Sequence, residues 1–168
     1  MVDVFSKAKR SEVMSRIRGR GNRDTELAFV ALLKTYRITG WRRHMAISLE
    51  PSSGRSSDAA ARRRKSKVRP DFVFPARRLA VFIDGCFWHG CPKHSTQPRT
   101  NKAFWRSKLS SNKQRDKLVS RALRRRGWVV LRIWEHELNN PSSVFRRFRI
   151  QIEREARRNL PEPPRRRL

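Results

Sequence analysis

Acidic residues are scarce in this chain: 14 Asp and Glu stand against 42 Lys and Arg in 168 residues, a formal net charge of +28. So large an excess of one sign strains a compact fold by self-repulsion unless a polyanion neutralises it. Nucleic acid is the partner that rewards such a surface, because each phosphate contact releases counterions. Cysteine is nearly absent as well. Cys86 and Cys91 are the whole complement, too few for a disulfide framework and in keeping with a reducing cytoplasm where both thiols stay free for metal. Long apolar runs are also missing. No stretch reaches the roughly 18 residues a membrane helix needs, and the start, Met-Val-Asp-Val-Phe-Ser, has no hydrophobic signal region. These absences argue against disulfide scaffolds and membrane spans, and predict a cytoplasmic nucleic-acid binder with no membrane partner. They do not separate an enzyme from a ribosome-like or nucleoid-packing protein.

What is present is enough for one modest core. Apolar residues make up 37% of the chain, with five Trp and nine Phe, and the length is about that of one domain. Small domains of this size often add a metal as a staple. Residues 1–23 read as a basic segment that contacts DNA, residues 24–158 as the folded domain, and residues 159–168 as a disordered basic tail. Asp24 or Thr25 can cap a helix running to about Thr35, with Leu27, Val30, Leu32 and Leu33 facing inward. A short strand is expected around Trp41. Residues 48–68, rich in Ser, Ala and Arg, read as a mobile basic insertion, either a phosphate grip or a solvated loop.

Two strands follow, Pro70 to Phe74 and Leu79 to Ile83, the second a continuous apolar run of the kind buried on both faces. A long helix is predicted over about 101–126, stopped by Gly127. Residues 128–134 form the last strand, and Asn140-Pro141 opens a final helix with Asn as N-cap. The fold class is α/β, a small mixed sheet flanked by helices.

Between strand and long helix lies a loop carrying Cys86, Cys91 and His94, and His136 follows the last strand. A Cys2His2 set suits tetrahedral Zn²⁺ with every position closed, hence structural. The alternative is two buried thiols and two surface histidines. Asp71 and Asp84, on the two neighbouring strands, can converge on one Mg²⁺, which prefers carboxylate and water. Each can equally be a strand-start and a turn residue. The arrangement resembles the Pro-Asp…(Asp/Glu)-x-Lys pattern of restriction-endonuclease-like nucleases, except that Cys86 stands where the lysine would be. His89 can take a proton from an attacking water or steady a leaving oxygen. Phe87 and Trp88 beside it can wedge between base pairs or pack on the loop.

The run Asp84-Gly-Cys-Phe-Trp-His-Gly-Cys-Pro-Lys-His94 resembles the signature of very short patch repair endonucleases, bacterial enzymes that nick at T:G mismatches. Met14-Ser-Arg-Ile17, Asp24-Thr25-Glu26, Arg69-Pro70-Asp71-Phe72-Val73, Phe104-Trp105, Asn112, Arg115-Asp116 and Trp134-Glu135 match the same family in order. The resemblance spans roughly residues 5–140 apart from the insertion, and implies a restriction-endonuclease-like core. It implies Mg²⁺ on Asp71 and the Ile83 backbone carbonyl, and His89 as general base or water-positioning group with Glu26 supporting that network. Asp84, where the family can carry histidine, brings the site closer to a two-carboxylate centre. That leaves His89 as the only histidine beside the metal strands that is not committed to zinc. Asp116 would support the site or form a salt bridge with nearby Arg and Lys. Phe87, Trp88 and Trp105 would intercalate, Met14 and Ile17 would approach from the minor groove, and Lys108 and Asn112 would read base edges. The implied substrate is double-stranded DNA with a T:G mismatch left by 5-methylcytosine deamination, and the implied genetic companion is a cytosine-5 methyltransferase. A monomer at the bacterial nucleoid suffices for a single nick. The competing expectations are a related Mg²⁺ nuclease of different specificity, tied to restriction or a mobile element, and a non-catalytic basic binder.

Overall fold

The computed structural model of the protein describes residues 23–49, 67–96, 98 and 101–158. Met14, Ile17, the core of the basic insertion and the C-terminal tail lie outside the described residues. Six strands and three α-helices occur in the described parts: β1 (Arg42–Arg43), β2 (Ile47–Ser48), β3 (Lys67–Val68), β4 (Phe72–Phe74), β5 (Leu79–Asp84), β6 (Val129–Trp134), α1 (Ala28–Thr35), α2 (Lys102–Arg125) and α3 (Pro141–Arg158). The main sheet has the order β1-β4-β5-β6; its first two pairings are antiparallel and β5-β6 is parallel. This is the mixed α/β architecture expected. Helix α2 is the crossover between the two parallel strands, which a parallel pair requires because a hairpin cannot join them.

Both faces of the sheet are covered, so β5 can be apolar throughout. Leu79, Val81 and Ile83 alternate onto the face packed by Phe29, Leu32 and Leu33 of α1 and by Val144 and Phe148 of α3. Ala80 and Phe82 point to the opposite face, against Leu123 and Val119 of α2. Aromatic edges lock the first layer. Phe72 lies 4.9 Å from Phe29 and 5.6 Å from Trp41, ring centre to ring centre, and Phe74 lies 5.1 Å from Phe148.

Helix α1 departs from expectation at its start. A π-helical turn, Arg23–Leu27, precedes it, and no side chain caps the junction at Leu27. The wider turn shifts the helical phase, so Leu27 is 40% exposed while Phe29 takes the buried place beside Leu32 and Leu33. At the other boundaries the expected caps are present. The Ser143 amide donates to Asn140 Oδ1 at 3.1 Å, which starts α3. Gly127, at φ 72°, closes α2: its N–H donates to the Arg124 carbonyl and that of Trp128 to the Leu123 carbonyl. Only glycine enters that conformation without strain.

The insertion is pinned at its ends. Ile47 pairs with Val68 and Ser48 with Lys67, antiparallel, so the outermost residues of the 48–68 stretch are strand rather than loop. No helix among the described residues is long and apolar enough to cross a membrane. Phe72 is fully buried against two other rings, so Phe72→Ala is expected to cost about 3–5 kcal/mol. The measurement is a lowered urea midpoint at unchanged slope, and a loss under 1 kcal/mol refutes this picture of the core.

Candidate active site and metal centre

Pro70 is buried, and Asp71 follows it immediately before β4. Asp71 Oδ2 accepts a hydrogen bond from the Ile83 amide at 2.7 Å, across the β4-β5 pair. The β1-β4 register matches Arg43 with Phe72, and one residue further along it sets His44 beside Asp71; the His44 amide donates to the Asp71 carbonyl at 3.2 Å. His44 is at φ 51°, a left-handed conformation that costs energy for a non-glycine residue and recurs at functional sites. Its Nε2 lies 3.0 Å from Glu26 Oε2, which the Arg43 guanidinium also contacts at 2.5 Å. The ligand atoms of Glu26, His44 and Asp71 all lie within 4.8 Å of one another.

This crowding acts on Asp71. Burial pushes its carboxyl up to about 6, the Glu26 and Asp84 carboxylates add to the push, and the Ile83 amide and His44 oppose it. Desolvation therefore outweighs the one strong hydrogen bond. His44 is a correction to the expectation that His89 alone stands beside the metal strands. Glu26 likewise serves the Asp71–His44 group: its ion-pair partners are Arg43 and His44 rather than His89. Nothing in the spacing announced His44, 27 positions before Asp71; only the strand register brings it there.

Asp84, one residue after Ile83, faces a different set of groups. Arg132 of β6 grips both its oxygens, Nε to Oδ2 at 2.6 Å and Nη2 to Oδ1 at 2.5 Å. Burial would lower the Arg132 guanidinium, but its contacts with Asp84 and Asp116 more than offset that and hold it above its usual range. The carboxylate expected to share a metal with Asp71 is thus occupied by a cation of the protein, and the groups gathered on Asp71 are Glu26 and His44. Next to this pair, His89 Nδ1 lies 2.6 Å from Asp116 Oδ2 and 3.6 Å from Asp84 Oδ1. Asp116 also meets Arg132 at 3.3 Å and Arg115 at 3.5 Å, so its contact with His89 and its salt bridges coexist. A carboxylate on Nδ1 fixes the tautomer and leaves Nε2 as the nitrogen able to accept a proton.

The loop between β5 and α2, together with His136 just after β6, gathers four soft or borderline donors. Cys86 Sγ is 3.2 Å and Cys91 Sγ 3.7 Å from His136 Nδ1, and Cys91 Sγ is 3.9 Å from His94 Nδ1. The edge between sulfur and nitrogen in a tetrahedral zinc site is about 3.6 Å, from bond lengths of about 2.3 and 2.0 Å. The set fits a closed tetrahedron, with all four donor atoms within 4.8 Å of one another. Burial raises the Cys86 thiol above its ordinary range, with the neighbouring Cys91 adding to it; a cation among the donors would reverse that push. The Glu135 carboxylate accepts the Cys86 amide at 3.0 Å and anchors the loop to the end of β6.

Phe87, Trp88 and Trp105 form one cluster, with ring centres 5.1–6.0 Å apart. All three are half-buried, and Phe104 beside Trp105 is 53% exposed. Asn112 donates its amide to the Trp88 carbonyl at 2.9 Å, so it holds the aromatic loop, while Lys108 is exposed on the same helix.

Residues 59–97, which include Asp71, His89 and three of the four Cys/His donors, match the family model described as DNA mismatch endonuclease Vsr. The type II nicking enzyme V.NmeAIP of Neisseria meningitidis serogroup A is 31% identical over 142 residues, 83% of this chain and 86% of that protein. The type II nicking enzyme V.NaeI of Lentzea aerocolonigenes is 59% identical over 71 residues, 42% of this chain and 43% of its own. The DNA mismatch endonuclease Vsr of Escherichia coli is 40% identical over 68 residues, 40% of this chain and 44% of its own. In the last two comparisons the chain spans less than half the length of the relative.

The raised Asp71 carboxyl carries a stability signature. Without added divalent metal, the fold holds a proton between pH 3.8 and about 6 that the unfolded chain has released. Stability from this group therefore falls as pH rises through that window and stays reduced above it. Asp71→Asn removes the penalty, so it should be more stable than the parent at pH 8, by at most about 3 kcal/mol, and no more stable at pH 4. Denaturant titrations at the two pH values decide; equal gains at both would contradict the assignment.

Proposed function

The chain belongs to the family of the DNA mismatch endonuclease Vsr and its related type II nicking enzymes, and from that premise we propose that it is a Mg²⁺-dependent endonuclease. Its substrate is duplex DNA, nicked in one strand 5′ to the thymine of a T:G mismatch. The observation that carries the reading is the junction at the end of β5. Two successive residues there touch the two halves of the site: Ile83 holds Asp71, and Asp84 neighbours the His89–Asp116 pair. This reading takes the sheet as a restriction-endonuclease-like core.

Asp71 and the Ile83 carbonyl would hold the Mg²⁺, with Glu26 and His44 beside them. When bound, the ion polarises the phosphodiester and offsets the charge that develops on it. His89 accepts the proton of the attacking water at Nε2, and Asp116 stabilises the imidazolium that results. The water oxygen bonds to phosphorus as the bond to the leaving sugar oxygen breaks. Arg132 cancels the Asp84 charge, so the second carboxylate does not repel the phosphate. Phe87, Trp88 and Trp105 supply wedges. Unstacking costs a few kcal/mol per step and least at a mismatch, which converts weak pairing into selectivity. A monomer suffices for one nick, and a cytosine-5 methyltransferase is the activity whose products would need this repair.

A second reading, a nicking enzyme of different specificity, is favoured by the relatives named type II nicking enzymes. Nicking of otherwise identical matched and T:G duplexes separates the two: strong preference for T:G is expected, and equal cutting sinks the repair reading. In the same assay His89→Ala should lower the nicking rate about 10²–10⁴-fold with mismatch binding retained.

The Cys86, Cys91, His94 and His136 cluster is read as a structural Zn²⁺ site. One equivalent of zinc is expected by elemental analysis, with Cys91→Ser losing the metal and much of the thermal stability. A folded, fully stable parent protein that contains no zinc would overturn this part.

A further inference from the structure

Beside His89 a cleft of about 410 Å³ opens between α2 and the ends of β5 and β6. Its inner acids already have partners: Arg132 contacts both Asp84 and Asp116, and His89 lies on Asp116. The rest of its charge is positive. Lys113, Lys117, Arg121 and Arg124 line it, at steps of four, four and three residues along α2, and therefore on one helical face. The stripe is about 16 Å long at 1.5 Å per residue. None of these four has an ion-pair partner among the described residues.

Two features make this more than a solvated charged face. Ser120 lines the cleft from within the stripe and is only 5% exposed, yet its Oγ has no hydrogen-bond partner among the described residues. A buried hydroxyl left unpaired is costly, and an anionic oxygen in the cleft would satisfy it. Lys113 is also brought into place by backbone. Gly90, at φ 62°, follows His89, and a Cβ there would fall 2.6 Å from the Lys113 ammonium nitrogen and 2.3 Å from its Cε. The missing side chain lets the lysine lie against the residue next to the proposed base.

We propose that this cleft is a phosphate subsite, and that Ser120 and the α2 stripe take a backbone phosphate of bound DNA adjacent to the one being cleaved. The inference rests on the endonuclease reading for its ligand. A stripe of this length runs past more than one phosphate, since a strand presents one about every 3.4 Å of rise. Phosphate contacts of this kind set register and orientation without reading sequence. The cleft would therefore hold the scissile linkage against His89 whichever bases flank the mismatch.

The test is equilibrium binding, without divalent metal, of a short T:G duplex in which single linkages near the nick are replaced in turn by neutral methylphosphonate. In the parent protein one or two linkages outside the cleaved one should weaken binding about threefold to tenfold when neutralised. The same replacements should leave the Arg121→Gln/Arg124→Gln double variant nearly unaffected. That variant should also show a salt slope smaller by about 1–2, whereas Arg77→Gln/Arg146→Gln, on other surfaces, keeps the methylphosphonate pattern. Ser120→Ala should weaken binding at those linkages with no loss of thermal stability, because the hydroxyl removed has no partner in the fold. Parent and cleft variants that agree within twofold at every linkage overturn the inference and leave the nuclease reading standing. Inorganic phosphate that stabilises the parent but not the double variant, with no methylphosphonate effect, assigns the cleft to a free anion and also overturns it. If the linkage-specific effects appear but no duplex is nicked with Mg²⁺ added, the endonuclease reading fails together with the placement beside a cleaved linkage, and the cleft stands as a site for a DNA backbone phosphate.

Discussion

The hydrogen bond from the Ile83 amide to Asp71 is the contact on which the candidate site depends. It ties the carboxylate to the central strand at the point where side-chain alternation sends successive residues to opposite faces. Ile83 belongs to the core under α1 and α3, while Asp84 meets Arg132 and His89. One strand end thus carries two chemistries a residue apart. The bond favours the ionised carboxylate, but burial and two neighbouring carboxylates win, leaving Asp71 near 6. A site that holds negative charge at such expense is one that a cation would relax.

The few acids near the candidate site and the Cys/His cluster each have a task. Glu26 is held by Arg43 and His44, Asp84 by Arg132, and Asp116 by His89. Glu135 accepts the Cys86 amide, and Glu137 accepts the Trp134 amide and pairs with Arg147. Lysines and arginines have no such supply of partners. The α2 face beside His89 is where that surplus meets the site, and there the bulk charge read from composition becomes a local geometry.

Much of the fold was legible because its signals are local. The apolar run of β5 needs only burial on both faces, and Gly127 and Asn140 mark helix ends through their own backbone and side-chain chemistry. The Cys/His donors were legible through residue type and clustering. Leu27 and Phe29 exchanged places because a π-turn shifted the helical phase, which a pattern at constant period does not register. Asn112, read from the sequence as a base-edge reader, also holds the Trp88 carbonyl, a contact made by a loop 24 positions away.

By itself the sequence determined the excess of positive charge, the order of the central strands and the helices, and the presence of Asp71, His89 and four Cys/His donors. Each follows from composition, period or residue type, which are properties of short stretches. Only the tertiary structure decided which of these groups meet. Strand register set His44 beside Asp71, and the parallel β5-β6 pairing set Arg132 against Asp84. Those contacts join residues 27 and 48 positions apart, and a distance of that kind is closed by the packing of the whole sheet.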